Sequence, residues 1–566
     1  MILKHTLGSE KKSREVSSKD RTFLLGNDLG DYLWFGGSAD SRYQGWFITD
    51  SKDKETAYKI IEDIRSVDRG EIKVLENMFS KVVRKGDGFK ESFTLDKDSS
   101  RFIYQLEDEK EVELVLDMRK SYSDDYPEYD IEDLNGRLLI TGKGESETLF
   151  LAIKGFCSYR KEAHRFVRHY EADKKRSSPP FEKAVFKALT LKGSRFIFSA
   201  SKNKEKALNN LDKRIKVKRA RDRKEPLDFV AAWKGLDNLV VDEDGIYAGF
   251  PWFFQYWKRD EAISLRGLSI IDKQRAKNIF WSLISRESRG PRGNPIADGI
   301  GWTYKRAFLF LNELTNEEEG ELANELKKDV DIGNSDFRVT KYKETWMDSI
   351  SREGARIEVQ ALQLSMYKLG KLIDKENKEA YLQMEAELRE KVRDVFWDGE
   401  VLADGYDPET EWVDKTVRPN IFLAYYIYPE LLSPSEWEIC FRKALYELWL
   451  DWGGLSTISQ KDHRYREVHT GENPESYHQG DSWFFVNNLA AIAMHRLNEG
   501  RFAYEINKIL KASRNDLLWN GAIGHHSEVS SAKSQRAEGA ISQAWSFATY
   551  LEALYEVFKI RNFNWD

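Results

Sequence analysis

The hydrophobic period changes once along this 566-residue chain, and no single small fold accommodates both halves of that pattern. Up to about residue 200, apolar and polar residues alternate in short runs, the period-2 signature of antiparallel strands. Lys73 to Phe79, Glu111 to Asp117 and Ser194 to Ser199 are examples, and their roughly even spacing predicts a β-sandwich. From Pro226 onward the period is 3.6. Apolar residues recur at helical spacing near 228–241, 260–271, 274–287, 302–316, 318–331, 356–371, 374–396, 420–429, 435–449, 480–498, 500–514 and 541–559. Short and long connections alternate between these twelve segments, and no repeat of fixed length is present, which favours a closed ring over a solenoid. The pattern predicts an N-terminal antiparallel β-sandwich domain over 1–204 and a charged linker helix over 205–225. An all-α domain over 226–566 follows, expected as six helical hairpins in an inner and an outer layer, an (α/α)6 toroid.

Composition removes several function classes. The net charge is −6 with 33% charged residues, so nothing here gains affinity for nucleic acid by releasing counterions. The basic run from Lys213 to Arg219 is balanced by the acidic remainder. Two cysteines, Cys157 and Cys440, exclude a disulfide framework and supply too few ligands for a cysteine metal site. Met1 to Arg21 is polar and carries no secretory apolar core, and no apolar run reaches a membrane span, so a cytoplasmic location is expected. Seventeen Trp, 25 Tyr and 31 Phe point the other way, toward something: flat ring faces beside polar groups are what a sugar site combines. The same count also suits an aromatic-rich core.

The residues capable of chemistry fall mainly between the expected helices: Asp298, Trp302, Trp346, Asp348, Tyr477, His478, Gln479, Trp483, His525, His526 and Glu528. In a ring of hairpins, the long connections at one end converge over the centre, and rigid scaffolds carry function on such loops. The run from Ala248 to Asp260 ends in Trp257, Lys258, Arg259 and Asp260 at a helix start. Arg259 and Asp260 can grip vicinal hydroxyls, or serve as an ion pair and an acidic complement to the helix dipole. Asp348 follows Trp346 closely, and an apolar wall raises a carboxyl pKa as a general acid requires; a helix cap is the plainer role. Tyr477 to Trp483 gathers polar groups between two aromatics, which suits substrate positioning. His478 has no partner histidine at helical spacing, and His525 and His526 are adjacent, so no metal is expected. Glu528 supplies a second loop carboxylate, and two such groups are the minimum equipment for glycoside hydrolysis. No phosphate-binding glycine loop and no nucleophile elbow is present.

Taken in order, these segments resemble the amylo-α-1,6-glucosidase family of glycogen debranching enzymes. Leu25 to Tyr32, Ser41 to Gly45 and Tyr159 to Ala163 resemble that family's opening β-domain. The aromatic approach to Arg259 and Asp260, Asp298 with Trp302, Thr345 to Asp348, Arg418 to Asn420, Tyr477 to Gly480, Ser527-Glu528 and Gln543 to Ser546 match its second half. The resemblance implies a glucoamylase-like six-hairpin toroid and an inverting exo-α-glucosidase that removes α-1,6-linked glucose at branch points of glycogen or a related α-glucan. It assigns Asp348 as general acid and Glu528 as general base. Arg259 and Asp260 would hold the terminal glucose. Trp257, Asp298, Trp302, Trp346, Glu358, Tyr477, His478, Gln479 and Trp483 would line the substrate site, with no cofactor.

Three positions depart from the family pattern: Lys258 and Glu261 flank the Arg-Asp pair, and Asp481 follows Tyr-His-Gln-Gly; the loop between the fifth helix and Trp346 is also shorter than the family's. No part of the chain resembles a glucan transferase. The nearest rival function is a glucoamylase- or trehalase-like glucosidase acting on another α-linkage. A rival of another class is a non-catalytic glucan-binding protein. Partners are expected to be α-glucan oligosaccharides, with no nucleic acid and no membrane.

Overall fold

The structure is a computed structural model that describes residues 2–6, 22–36, 39–50, 52–217, 225–241, 245–286 and 296–558. It divides into two compact units. The first comprises Met1–Asp242, Gly249–Gln255 and Leu517–His526, and the second Glu243–Ala248, Tyr256–Asp516 and Ser527–Asp566.

In the first unit the alternating segments pair as one continuous antiparallel sheet, organised by two long strands, Arg101–Lys120 and Glu182–Ser201. These two run side by side, Phe102 opposite Phe198 near one end and Leu116 opposite Phe186 near the other, with irregular register at Lys187/Leu189 and Gly193/Arg195. Such breaks bend a strand and let it serve two arms of a sheet. One end pairs with Phe89–Leu95 and Thr148–Lys154, the other with Ala57–Ser66 and Ser158–His169. The arms face each other through aromatic side chains: Phe23 and Phe35 lie against Phe93, and the Trp46 ring meets Phe102 edge-on. Helix α1 (Glu171–Lys175) follows the outer strand. The charged stretch expected to form a helix over 205–225 is shorter. Helix α2 spans Lys204–Asn210, and Ala207 and Leu211 are buried against Ile103, Leu139, Ala152 and Ile197 of the sheet. Residues 218–224 lie outside the described residues. Helix α3 (Leu227–Asp237) also belongs to this unit.

The second unit contains α4 (Lys258–Ile271), α5 (Lys273–Ser285), α6 (Ala297–Ala307), α7 (Asn316–Asp329), α8 (Ile357–Ile373) and α9 (Lys378–Phe396). It continues with α10 (Asn420–Ile427), α11 (Pro434–Leu448), α12 (Phe484–Asn498), α13 (Ala503–Asn515) and α14 (Ala544–Val557). With α3, these occupy the twelve segments of helical period. Burial separates two kinds. Helix α10 buries all eight of its residues, whereas α7 buries three of fourteen, so α10 is interior and α7 faces solvent on most sides. The interior helices follow one another in a closed circuit: α4 packs on α6, α6 on α8, α8 on α10, α10 on α12, α12 on α14, and α14 on α4. Helices α5, α9, α11 and α13 pack outside α4, α8, α10 and α12. Because the chain passes out and back between interior helices, the interior six share one direction and their N-termini lie at one end.

Two glycines permit this packing. A Cβ at Gly267 of α4 would stand 2.4 Å from the Ala548 Cα of α14, and one at Gly301 of α6 would stand 2.6 Å from the Leu362 Cβ of α8. Gly301 also lies before the expected boundary. The helical period places the helix at 302–316; it starts at Ala297 and ends at Ala307. Gly267→Val should open the α4–α14 contact and cost about 2–4 kcal/mol, in the range of other overpacking substitutions. A urea midpoint unchanged from the parent protein would show that the contact is not needed.

Candidate active site

The N-terminal ends of the interior helices α4, α6, α10, α12 and α14 each bring a polar or aromatic residue to one place. The extended residue Trp257 precedes α4, and Arg259 and Asp260 form its first turn, both buried. Arg259 Nη1 donates to Asp298 Oδ1 at 3.1 Å, from the first turn of α6, and its other nitrogens lie 3.6 Å from Asp348 Oδ2 and 3.8 Å from Asp260 Oδ2. One guanidinium therefore serves three carboxyl groups. Burial pushes Asp260 up to about 7, opposed by Arg259 and reinforced by Asp348 and Asp298. It pushes Asp348 up to about 6, again opposed by Arg259. Asp348 nevertheless keeps 34% of its side chain exposed, the most open carboxyl of the cluster. No helix begins at Asp348; a strand over Gly354–Arg356 intervenes before α8, so the capping role is not the one it fills.

Trp346 fixes the loop that carries Asp348. Its backbone N–H donates to Asp298 Oδ2 at 2.9 Å and its indole N–H to Asn420 Oδ1 at 2.8 Å, at the start of α10. Its ring lies edge-on to His478, Trp483 and Phe485. His478 stacks on Trp483, whose indole N–H donates to the Tyr477 carbonyl at 2.7 Å. His478 Nδ1 lies 2.6 Å from Ser349 Oγ, beside Asp348, and burial among Arg418, Arg352 and Arg259 holds the ring well below its ordinary pKa, hence neutral. The adjacent Tyr477 hydroxyl donates to Glu528 Oε1 at 2.6 Å, and the Ala540 N–H donates to Glu528 Oε2 at 3.0 Å. Burial pushes Glu528 up to about 8 despite these donors. Strand pairing of Ser482–Trp483 with Val529–Ser530 locks the two segments together. Consecutive residues thus reach the two candidate loops, Tyr477 bonding the Glu528 carboxyl and His478 bonding Ser349, the neighbour of Asp348. At the start of α14, Gln543 Nε2 reaches Asp260 Oδ1 at 3.3 Å.

Glu358, expected at the sugar, is turned to another task. It is 1% exposed and both its oxygens accept from Arg352, at 2.7 and 3.1 Å. Arg352 also makes two 2.9 Å bonds to Asp404 and one of 3.0 Å to Thr345, three residues before Asp348. Asp404 in turn faces Arg356 and Arg418 and is held down at about 2; its burial is outweighed by Arg352 and the other two arginines. Nothing in the spacing of Arg352 or Asp404 marks this hub, and the sequence reading missed it. Removing Arg352 strands two buried carboxylates, so Arg352→Met should cost about 3–5 kcal/mol in urea unfolding. A loss below about 1 kcal/mol would mean that the remaining arginines suffice.

The other expected residues are placed as follows. Trp302 and Asp298 sit on α6 rather than on a loop, and Trp302 packs against Tyr426 and under Arg306. Trp257 is half-buried with its indole N–H unpaired among the described residues. Gln479 points away from the aromatic cluster, its amide donating to the Pro474 carbonyl at 2.5 Å and its side chain lining an outer cavity with Ser349 and Arg418. His525 lies in the first unit, its Nε2 3.0 Å from the Leu24 carbonyl, and burial lowers its pKa to about 4. Among the described residues, no group of three or more His, Cys, Asp or Glu is placed to hold a metal ion, and no helix is long and apolar enough to cross a membrane. The departures from the family pattern have partners: Lys258 and Glu261 both reach Arg286, and Asp481 pairs with His469 and Ser476.

Residues 329–552 match the family model described as amylo-alpha-1,6-glucosidase. Among solved structures, the chain is similar to a bacterial glucoamylase complexed with acarbose, at 11% identity over 98% of this chain and 97% of that chain, with a TM-score of 0.62. That likeness establishes a shared fold. Lesser similarity extends to a glycosidase in complex with glucose (12% identity, 59% of this chain, 98% of that chain, TM-score 0.43). A mannosylglycerate hydrolase from Thermus thermophilus is similar to the same degree (13% identity, 58% of this chain, 99% of that chain, TM-score 0.43).

Proposed function

We propose that this chain, a glycoside hydrolase with an amylo-alpha-1,6-glucosidase family domain over residues 329–552, is an inverting, exo-acting α-glucosidase. Its substrate is α-1,6-linked glucose at branch points of glycogen or a related α-glucan. The catalytic scaffold is an (α/α)6 toroid over 226–566, preceded by a β-sandwich over 1–204 and a linker over 205–225, and the protein works in the cytoplasm. The observation that carries this reading is that Asp348 lies against Arg259 and Glu528 accepts from the Tyr477 hydroxyl, while the next residue, His478, bonds Ser349 beside Asp348.

Arg259 and Asp260 hold the terminal glucose by donating to and accepting from its hydroxyls, and Trp257, Trp346 and Trp483 exclude water around it. Asp348 gives its proton to the glycosidic oxygen as that bond breaks. Glu528 removes a proton from a water that attacks C1 from the opposite face, so the anomeric configuration inverts. Tyr477 and His478 position the two groups and do not themselves transfer the proton.

The pKa order favours a second reading with the roles exchanged. Asp348 lies at about 6 and Glu528 at about 8, so in the free protein near pH 7 Glu528 is the better-protonated group. With Asp348 as acid, the form with Asp348 protonated and Glu528 ionised is then about 1% of the population at pH 7, and activity is a bell between the two values under either assignment. Substitution, not the pH profile, separates them. The linkage is tested by glucose release from matched α-1,6-, α-1,4- and α,α-1,1-linked oligosaccharides. Fastest release from the α-1,6 substrate supports the debranching reading, and fastest release from another linkage replaces it with the rival glucosidase.

A further inference from the structure

Three segments of the second unit are bonded together around the Glu528 loop: residues 466–470, the turn from Ser476 to Trp483, and the strand Val529–Ser530. Ser476 gathers the turn. Its carbonyl accepts from the Gln479 and Asp481 N–H groups at 3.0 and 2.9 Å. Its hydroxyl donates to Asp481 Oδ2 at 2.9 Å and accepts from the Thr470 N–H at 2.9 Å. The next residue, Tyr477, is the one whose hydroxyl bonds Glu528. His469 Nδ1 lies 2.6 Å from the same Asp481 Oδ2, with the two side chains 6% and 0% exposed. The His469 N–H donates to Ser531 Oγ at 3.3 Å, just past the strand that follows Glu528 and pairs with Ser482–Trp483. His469 therefore bonds both the turn that carries Tyr477 and the segment that carries Glu528.

Asp481 has no lysine or arginine partner among the described residues, and its Oδ1 is buried without a hydrogen bond. A carboxylate so placed needs a cation, and His469 supplies it when its imidazole is protonated. Burial acts to lower the imidazole pKa, but the bond to Asp481 and its charge, with Glu538 and Glu472 behind them, outweigh that and raise it. Glu538 lies on the segment bridged to Val529, 3.7 Å from Arg536, and Tyr465 also feels the charge of Asp481. With the imidazole raised above its ordinary 6.5, the ion pair is complete below that value and is lost as the pH rises through the raised one.

We propose that His469 and Asp481 are positioning residues for the base: their contact pins Ser476, which aims the Tyr477 hydroxyl at Glu528, and holds it more firmly while the imidazole is charged. This rests on the glucosidase reading and on Glu528 as the base. Asp481 departs from the family pattern, so the pair is not carried over from it. A base held out of line slows attack by water whichever group departs, and leaves glucose affinity to Arg259 and Asp260.

His469→Leu and His469→Asn test this in the full-length protein. Leu removes the bond, whereas the Asn amide donates from the place of Nδ1 and carries no charge. Turnover by His469→Leu should fall about tenfold on α-glucosyl fluoride and on an α-1,6-linked oligosaccharide alike, with KM within about twofold of the parent. The ratio of parent to His469→Asn turnover cancels the titrations common to both proteins. It should be about threefold near pH 6 and fall to about one near pH 9.5. A purely structural pair would lower the urea midpoint of His469→Leu without changing turnover per folded site, and that result overturns the proposal. A loss confined to the oligosaccharide overturns it too, because it places the pair on the acid. A parent-to-Asn ratio independent of pH overturns it as well, and decides alone if His469→Leu does not fold. Absence of fluoride hydrolysis by the parent protein overturns the glucosidase reading instead.

Discussion

Asp348→Asn is expected to lose about 10²–10⁴-fold in turnover of α-1,6-linked oligosaccharides while keeping most of its activity on α-glucosyl fluoride. The amide preserves the volume but has no proton to give. A sugar alkoxide is a poor leaving group and needs that proton as the bond breaks; fluoride departs with little help. The environment matters too. Asp348 contributes one of three carboxyls around Arg259, so the variant also relieves like-charge repulsion on Asp260, whose raised pKa of about 7 should fall. Equal losses on both substrates would show that Asp348 is not the donor, and would favour the exchanged roles.

Glu528→Gln should suppress both substrates by a similar factor, because attack by water needs the base whichever group departs. The same substitution is expected to stabilise the fold at neutral pH. A carboxyl raised from 4.5 to about 8 binds its proton more tightly in the folded state than in the unfolded one. The parent protein therefore loses stability as the pH rises from about 4.5 toward 8, and Gln, which does not titrate, escapes that loss. Glu528 is 2% exposed, so little solvent screening applies, and the gain should be about 2–4 kcal/mol at pH 8, vanishing below pH 4.5. The Tyr477 hydroxyl can reverse to accept from the new amide, which keeps the contact. A variant that is inactive and also less stable at pH 8 would mean that Glu528 is a structural group.

Periodicity made the helices legible because interior and exterior helices differ in how much of their circumference is apolar, and eleven of the twelve segments match within a few residues. Helix α6 starts five residues before the apolar spacing places it, and its first turns contain Gly301, which is small because Leu362 leaves no room. The candidate residues were legible as isolated carboxyls and aromatics in or beside long connections, and Arg259, Asp298, Trp346, Asp348, Tyr477, His478, Trp483 and Glu528 are brought into one cluster of contacts. Glu358 shows the limit. A glutamate near an acid loop looks the same in sequence whether it meets a sugar hydroxyl or a buried arginine, and only Arg352 at 2.7 Å tells which. Gln479 and Tyr477 are two residues apart, yet Tyr477 bonds Glu528 while Gln479 bonds the Pro474 carbonyl and lines an outer cavity, a direction that loop sequence does not encode.

The first glucose released from an α-linked substrate, observed by proton NMR before mutarotation, tests the central claim most directly. Two carboxyls acting as acid and base, with water between one of them and C1, must yield β-glucose. Initial accumulation of the β-anomer is the result expected of this site; initial α-glucose would require a covalent glycosyl intermediate and would contradict the assignment of Asp348 and Glu528 as acid and base.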